Sequence, residues 1–235
     1  MRHTTRKEFL QTSSALLLGA AFAKTPFDLK KDKLPLAFST LGCPDWDFKK
    51  ITDYAKQHEY TGIELRGLKR EINLPKCPEF GSTKNIDATL KTMKDKKLRF
   101  VDLGSGCTLH FAEGADREKN IAEGKAYIDL AQQLNCPNVR VFPNLLPKDR
   151  DKDETMEFIA KGLMELGNYA KASGTMVLME THGDLVWTHD IEKVMQDAAH
   201  SNVGLVWDPC NMWMCRILHD FFNIMCPYKI PMCFH

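Results

Sequence analysis

A repeating unit of one strand and one helix constrains the fold of this chain more than any other feature. Short apolar runs recur along the sequence, and each is followed by a turn-rich loop and then by a segment with helical periodicity. The runs cover residues 36–41, 62–66, 98–103, 138–142, 176–180 and 203–207. Consecutive units of this kind with largely apolar strands require a parallel sheet that helices cover. The sequence therefore predicts an α/β fold.

Helical periodicity fills the intervals between the apolar runs. Ile51 and Ile191 each begin a largely apolar set of side chains at i, i+3, i+4 and i+7, which places one apolar stripe on each helix. Longer helices are predicted over residues 116–134 and 154–172, because Asn-Cys-Pro and Ser-Gly follow them as stop signals.

Two parallel architectures fit these units, a closed (β/α)8 barrel and an open doubly wound sheet. The sequence has no GxGxxG after the first strand and no GxxxxGK[ST] anywhere, so a nucleotide phosphate site is not supported. Polar residues instead follow strand after strand, at the end where barrel active sites lie. They are Ser39, Glu64, Arg66, Asp102, Asn144, Glu180, His182, Asp208 and Asn211.

The charge balance argues against nucleic acid as a partner. The chain has 32 Lys and Arg against 31 Asp and Glu, a net charge of +1. Proteins that bind nucleic acid usually carry a basic excess or a basic stripe. On charge alone, nucleic acid is therefore not expected as a partner.

The first residues read as a signal for export rather than as part of the fold. Residues 1–23 combine a basic start with a short apolar stretch and small residues near position 23, and TRKEFLQ at 5–11 resembles a twin-arginine signal. The apolar stretch is too short to span a bilayer. We expect cleavage, a leader over residues 24–34, a periplasmic location and no stable membrane anchor after cleavage. An amphipathic N-terminal helix or a retained anchor is the alternative.

Two carboxylates end neighbouring strands. Glu180 and His182 close the fifth apolar run and face the same side of the strand, and Asp208 closes the sixth. Two carboxylates so placed repel each other unless a positive charge lies between them, which favours a divalent cation. The alternative is that both acids cap the following helices, or that they pair with Arg66 or a lysine.

Four motifs resemble the xylose isomerase-like TIM barrels, which include sugar phosphate isomerases and epimerases and are related to endonuclease IV. They are FSTLGCP at 38–44, GIELRG at 62–67, METHG at 179–183 and VGLVWDP at 203–209. The resemblance covers residues 35–211. It implies a (β/α)8 barrel with one divalent metal ion (Mn²⁺, Mg²⁺, Co²⁺ or Zn²⁺), with Glu180 and Asp208 as two of its ligands.

The resemblance also implies the chemistry. Isomerisation or epimerisation of a ketose removes a C–H proton next to a carbonyl and passes through an enediolate. Glu180 is then the catalytic base, and Glu64 and His182 bind the sugar. The expected function is that of a metal-dependent sugar or sugar phosphate isomerase or epimerase. An endonuclease IV-type nuclease is disfavoured because Asn211 stands where that class has a histidine.

After Asn211 the repeating pattern ends. Residues 212–235 contain no Glu and show neither a strand run nor a helical stripe. The family would supply a His and a Glu from two further strands, and only about six strand–helix units are recognisable. The hypothesis is that residues 212–235 are an aberrant or unassigned tail. Whether the chain is an enzyme stays open, and an inactive fragment or sugar-binding pseudoenzyme is the alternative.

Overall fold

The computed structural model describes residues 34–214 of the chain, and for residues 213 and 214 the backbone alone. The chain divides into two units, residues 1–34 and 35–235, and the description below concerns the second. The predicted export signal, the leader up to residue 33 and the tail from residue 215 lie outside the described residues.

Six parallel strands form one sheet in the order in which they occur in the sequence. Their bounds are β1 (Ala37–Ser39), β2 (Gly62–Leu65), β3 (Arg99–Thr108), β4 (Asn138–Phe142), β5 (Met176–Glu180) and β6 (Val203–Val206). Sequential parallel neighbours are what a barrel requires. The predicted fold class, a (β/α)8 barrel with about six recognisable units, is therefore confirmed as a partial barrel in the described residues.

Helices alternate with these strands. They are α1 (Phe48–Gln57), α2 (Thr83–Asp95), α3 (Ala115–Gln133), α4 (Lys152–Ala170), α5 (Thr188–Asp197) and α6 (Pro209–Met214), with single 3₁₀ turns at Thr40–Gly42, Leu74–Lys76 and Pro78–Phe80. The predicted stripes of α1 and α5 face the core, since Ile51 and Ile191 are completely buried. No helix in the described part of the chain is long and apolar enough to cross a membrane.

The predicted β4 and β5 match the observed strands exactly, whereas the predicted β3 ends too early. The sequence predicted an end at residue 103, and the strand continues to Thr108. The Gly-Ser-Gly that follows Leu103 reads as a turn, yet its backbone stays extended because Ser105 Oγ donates a 2.6 Å hydrogen bond to the Arg140 carbonyl. The pairing of β3 with β4 shifts register after Gly104.

Two loops meet at the carboxyl ends of β4 and β5. The Asn144 carbonyl accepts a 2.9 Å hydrogen bond from the Asp184 amide, and Asp184 Oδ2 accepts one of 2.9 Å from the Leu146 amide. Gly183 has a φ of +66°, and a Cβ there would lie 2.1 Å from the Asn144 carbonyl oxygen. Only glycine allows this approach, which fixes the chain directly after Glu180 and His182.

Candidate active site

Three acids and one arginine are buried on four neighbouring strands of the sheet. Glu64 on β2, Asp102 on β3, Arg140 on β4 and Glu180 on β5 are each no more than 5% exposed. Glu64 and Asp102 are direct partners in the β2 to β3 pairing. Charged side chains are rarely buried this deeply unless they are paired or have a function.

Arg140 forms the closest charge contact with the predicted catalytic residue. Its Nε lies 3.0 Å from Glu180 Oε2, and both side chains are almost fully buried. Arg140 Nη1 donates a 2.8 Å hydrogen bond to the Ser105 carbonyl. Its guanidinium carbon lies 3.9 Å from the centre of the Phe142 ring. Among residues 34–214, the ion-pair partner shown for Glu180 is Arg140.

Gly104 provides the space in which this arginine lies. A Cβ at Gly104 would be 2.8 Å from Arg140 Nη2, 2.8 Å from Arg66 Cδ and 3.3 Å from Glu64 Oε1. These side chains therefore converge above the backbone of β3. A larger residue at this position would displace charged side-chain atoms of the site.

Asp102 keeps its proton at neutral pH. Burial, together with the negative charges of Glu64 and Glu180, raises its pKa to about 8 against the lowering effect of Arg140. Its Oδ1 has no hydrogen-bond partner among residues 34–214.

Asp208 caps helix α6. Its Oδ1 accepts hydrogen bonds from the amides of Cys210 (2.7 Å) and Asn211 (3.2 Å), and its Oδ2 accepts one of 3.0 Å from Asn211 Nδ2. The Asp208 amide in turn donates a 3.0 Å hydrogen bond to Thr181 Oγ1, the residue after Glu180. The structure thus shows the capping role for Asp208 that the sequence left open beside metal binding.

His182 lies at the same edge of the sheet. Its ring centre is 4.5 Å from that of Phe142, which also stacks against Arg140. His182 Nδ1 has no hydrogen-bond partner in the described part of the chain. Cross-strand pairs therefore connect β4 to β5 and the segment after it: Arg140 with Glu180, and Phe142 with His182.

The structure brings some of the predicted residues together and adds others. Glu180 ends β5, and Asp208 follows the end of the neighbouring strand β6. Glu64 and Arg140, the ion-pair partner of Glu180, both lie next to Gly104. Within residues 34–214, no group of three or more His, Cys, Asp or Glu side chains is arranged to hold a metal ion. Arg140 was not among the residues predicted from the sequence. An arginine between two valines in an apolar run is nevertheless a pattern that indicates a buried charge.

The sequence matches the protein family described as "Xylose isomerase-like TIM barrel" over residues 52–227. The match covers about three quarters of the chain and extends past Asn211. This chain belongs to that family. Among curated proteins, none matches the sequence significantly.

Solved structures with the same fold include proteins named as a dehydratase and an epimerase, and one named only by its fold. The probable 3-DHS dehydratase AsbF of Bacillus anthracis superposes with a TM-score of 0.71 at 18% identity, over 85% of this chain and 72% of that one. D-psicose 3-epimerase with D-tagatose from Clostridium cellulolyticum gives 0.66 at 14% identity, over 83% and 72%. A xylose isomerase-like protein from Mycobacterium smegmatis in complex with magnesium gives 0.64 at 18% identity, over 83% and 72%.

Proposed function

We propose that the chain is a divalent-metal-dependent isomerase or epimerase of sugars or sugar phosphates. The observation that carries this proposal is the buried Glu180 at the end of β5, whose Oε2 lies 3.0 Å from Arg140 Nε. The neighbouring strand β6 leads into Asp208, two residues after its end. The family match and the epimerase among the similar structures support a carbohydrate substrate.

The residues fit a divalent cation in donor type. Carboxylate oxygens suit Mn²⁺ and Mg²⁺, and Asp208 Oδ2 accepts one hydrogen bond, which leaves a lone pair for a cation. The described residues supply two such ligands, Glu180 and Asp208. When bound, the ion polarises the substrate carbonyl and stabilises the negative charge that develops on its oxygen.

The side chains around Glu180 would share the remaining work. Glu180 removes the C–H proton next to the carbonyl, and in an isomerisation it returns that proton to the neighbouring carbon of the enediolate. Glu64 and His182 hold sugar hydroxyl groups, and His182 Nδ1 has a free hydrogen-bonding position in the described part for this purpose. Phe142 and the loop contact at Gly183 keep His182 at the edge of the sheet.

Isotope exchange tests this function without knowledge of the exact sugar. The full chain with Mn²⁺ is incubated in D2O with ketoses and ketose phosphates, and NMR follows the loss of the proton next to the carbonyl. We expect exchange with at least one ketose, and Glu180→Gln should slow it by at least about 100-fold, since general bases contribute on that scale. Glu192→Gln, on the exposed side of α5, is the matched control.

Two results would contradict the proposal. Exchange at an unchanged rate in Glu180→Gln would remove Glu180 from the chemistry. No exchange with any ketose, combined with sugar binding, would favour the sugar-binding pseudoenzyme, which the capped state of Asp208 also supports.

We further propose that the protein is exported to the periplasm. The support is the twin-arginine-like segment at residues 5–11. Fractionation of cells that express the full chain tests the proposal.

A further inference from the structure

The backbone around Arg66 is fixed by a hydroxyl group from the 3₁₀ turn that follows β1. Thr40 Oγ1 accepts hydrogen bonds from the amides of Arg66 (2.8 Å) and Gly67 (3.2 Å), and it donates one of 3.0 Å to the Gly67 carbonyl. Thr40 is 1% exposed. The point at which the Arg66 side chain leaves the end of β2 is therefore rigid.

The Arg66 side chain crosses strand β3 and joins the cluster. Its Nη1 donates a 3.3 Å hydrogen bond to the Gly104 carbonyl, and its Cδ lies 2.8 Å from the position that a Cβ of Gly104 would take. Arg140 Nη2 lies at the same distance from that position. Two guanidiniums thus approach one another above β3, and Arg66 is the one that is partly exposed.

The two arginines differ in their partners. Arg140 has Glu180 as its ion-pair partner. No carboxylate of residues 34–214 lies at ion-pair distance from Arg66, and within these residues the Arg66 side chain makes one hydrogen bond, to the Gly104 carbonyl. Burial and then the charge of Arg140 lower the pKa of Arg66. Within the described part of the chain the Arg66 guanidinium therefore has unused donors in a partly buried position, and an anionic ligand would compensate for the cost of burying its charge.

We propose that Arg66 binds an anionic oxygen group of the substrate, so that the substrate is a sugar phosphate or a sugar acid. A guanidinium offers a planar pair of donors that matches the oxygens of a phosphate or a carboxylate. The inference rests on the proposed function for its assumption that the ligand is a sugar. It adds the substrate's charge and the residue that recognises it.

Ligand binding without metal tests this inference separately from catalysis. Calorimetry in the presence of EDTA compares D-fructose 6-phosphate, D-gluconate and D-fructose on the full chain. We expect at least one of the two anions to bind about tenfold or more tightly than fructose, as a charge-assisted hydrogen-bond pair provides. Preference for the phosphate alone identifies a sugar phosphate, and preference for gluconate alone identifies a sugar acid.

Variants show whether Arg66 carries the preference. Arg66→Met should remove it and leave the affinity for fructose unchanged, and Arg66→Lys should retain part of it. Arg99→Met, an exposed arginine at the opposite end of the sheet, is the matched control for the lost charge and should retain all of it. Equal affinity for all three ligands, or a preference that survives Arg66→Met, would overturn the inference. The binding measurement does not use isotope exchange. It therefore tests the role of Arg66 even if the chain exchanges no proton of any ketose.

Discussion

Replacing Arg140 with methionine is expected to destabilise the fold by about 3–5 kcal/mol, the usual cost of removing one partner from a buried ion pair. Glu180 would keep its charge without the guanidinium that lies 3.0 Å from it. The hydrogen bond to the Ser105 carbonyl would be lost as well. Urea denaturation followed by circular dichroism measures the change in the free energy of unfolding.

A second substitution distinguishes the charge effect from a loss of packing. In the Arg140→Met/Glu180→Gln double variant the uncompensated charge is gone, so most of the lost stability should return. Lys49→Met removes one partner of an ion pair whose lysine is 85% exposed, and it should change stability by less than about 0.5 kcal/mol. A loss of less than about 1 kcal/mol in the free energy of unfolding of Arg140→Met would show that the ion pair between Arg140 and Glu180 does not stabilise the fold.

The buried Asp102 is expected to make the stability of the fold depend on pH. Burial raises its pKa to about 8 from 3.8, so between these values the folded state binds a proton that the unfolded state has released. The contribution of the protonated Asp102 to the free energy of unfolding is fully present below about pH 4. It is lost as the pH rises towards 8, with a slope of at most about 1.4 kcal/mol per pH unit. Asp102→Asn stays neutral and lacks this slope.

Denaturation at a series of pH values from 5 to 8 checks the sign of this effect. The difference in stability between the unsubstituted chain and Asp102→Asn should shift in favour of the variant as the pH rises. Asp149→Asn, at an exposed loop position, serves as the control and should follow the unsubstituted chain. Parallel curves for Asp102→Asn and the unsubstituted chain would mean that Asp102 is already ionised in the folded protein.

The sequence predicts the scaffold of the site well. β4 and β5 are apolar runs with sharp boundaries, and their predicted ends are the observed ones. Because all six strands are parallel, the positions of Glu180 and Asp208 at neighbouring strand ends follow from the order of the units. β3 was predicted too short, because Gly104 and Gly106 are typical of turns and the hydrogen bond that keeps them extended involves a distant strand.

The internal charge network could not be predicted in the same way. Val139, Arg140 and Val141 are all buried, so the alternation that usually separates the two faces of a strand gives no information in β4. An arginine in such a run pairs with whichever acid the sheet brings near, and that depends on side-chain geometry. The same holds for Asp208, whose role as a helix cap or a metal ligand depends on where Asn211 lies.

Calorimetric titration of the full chain with Mn²⁺ tests the central claim most directly. We expect saturable binding of one ion per chain. Glu180→Gln and Asp208→Asn should each weaken the affinity for Mn²⁺ at least about tenfold, because each removes a charged ligand oxygen. Asp184 lies at the same edge of the sheet and accepts a hydrogen bond from the Leu146 amide in a loop. Asp184→Asn should therefore leave the affinity for Mn²⁺ unchanged. Absence of binding, or binding that neither Glu180→Gln nor Asp208→Asn weakens, would contradict a metal site at these strand ends.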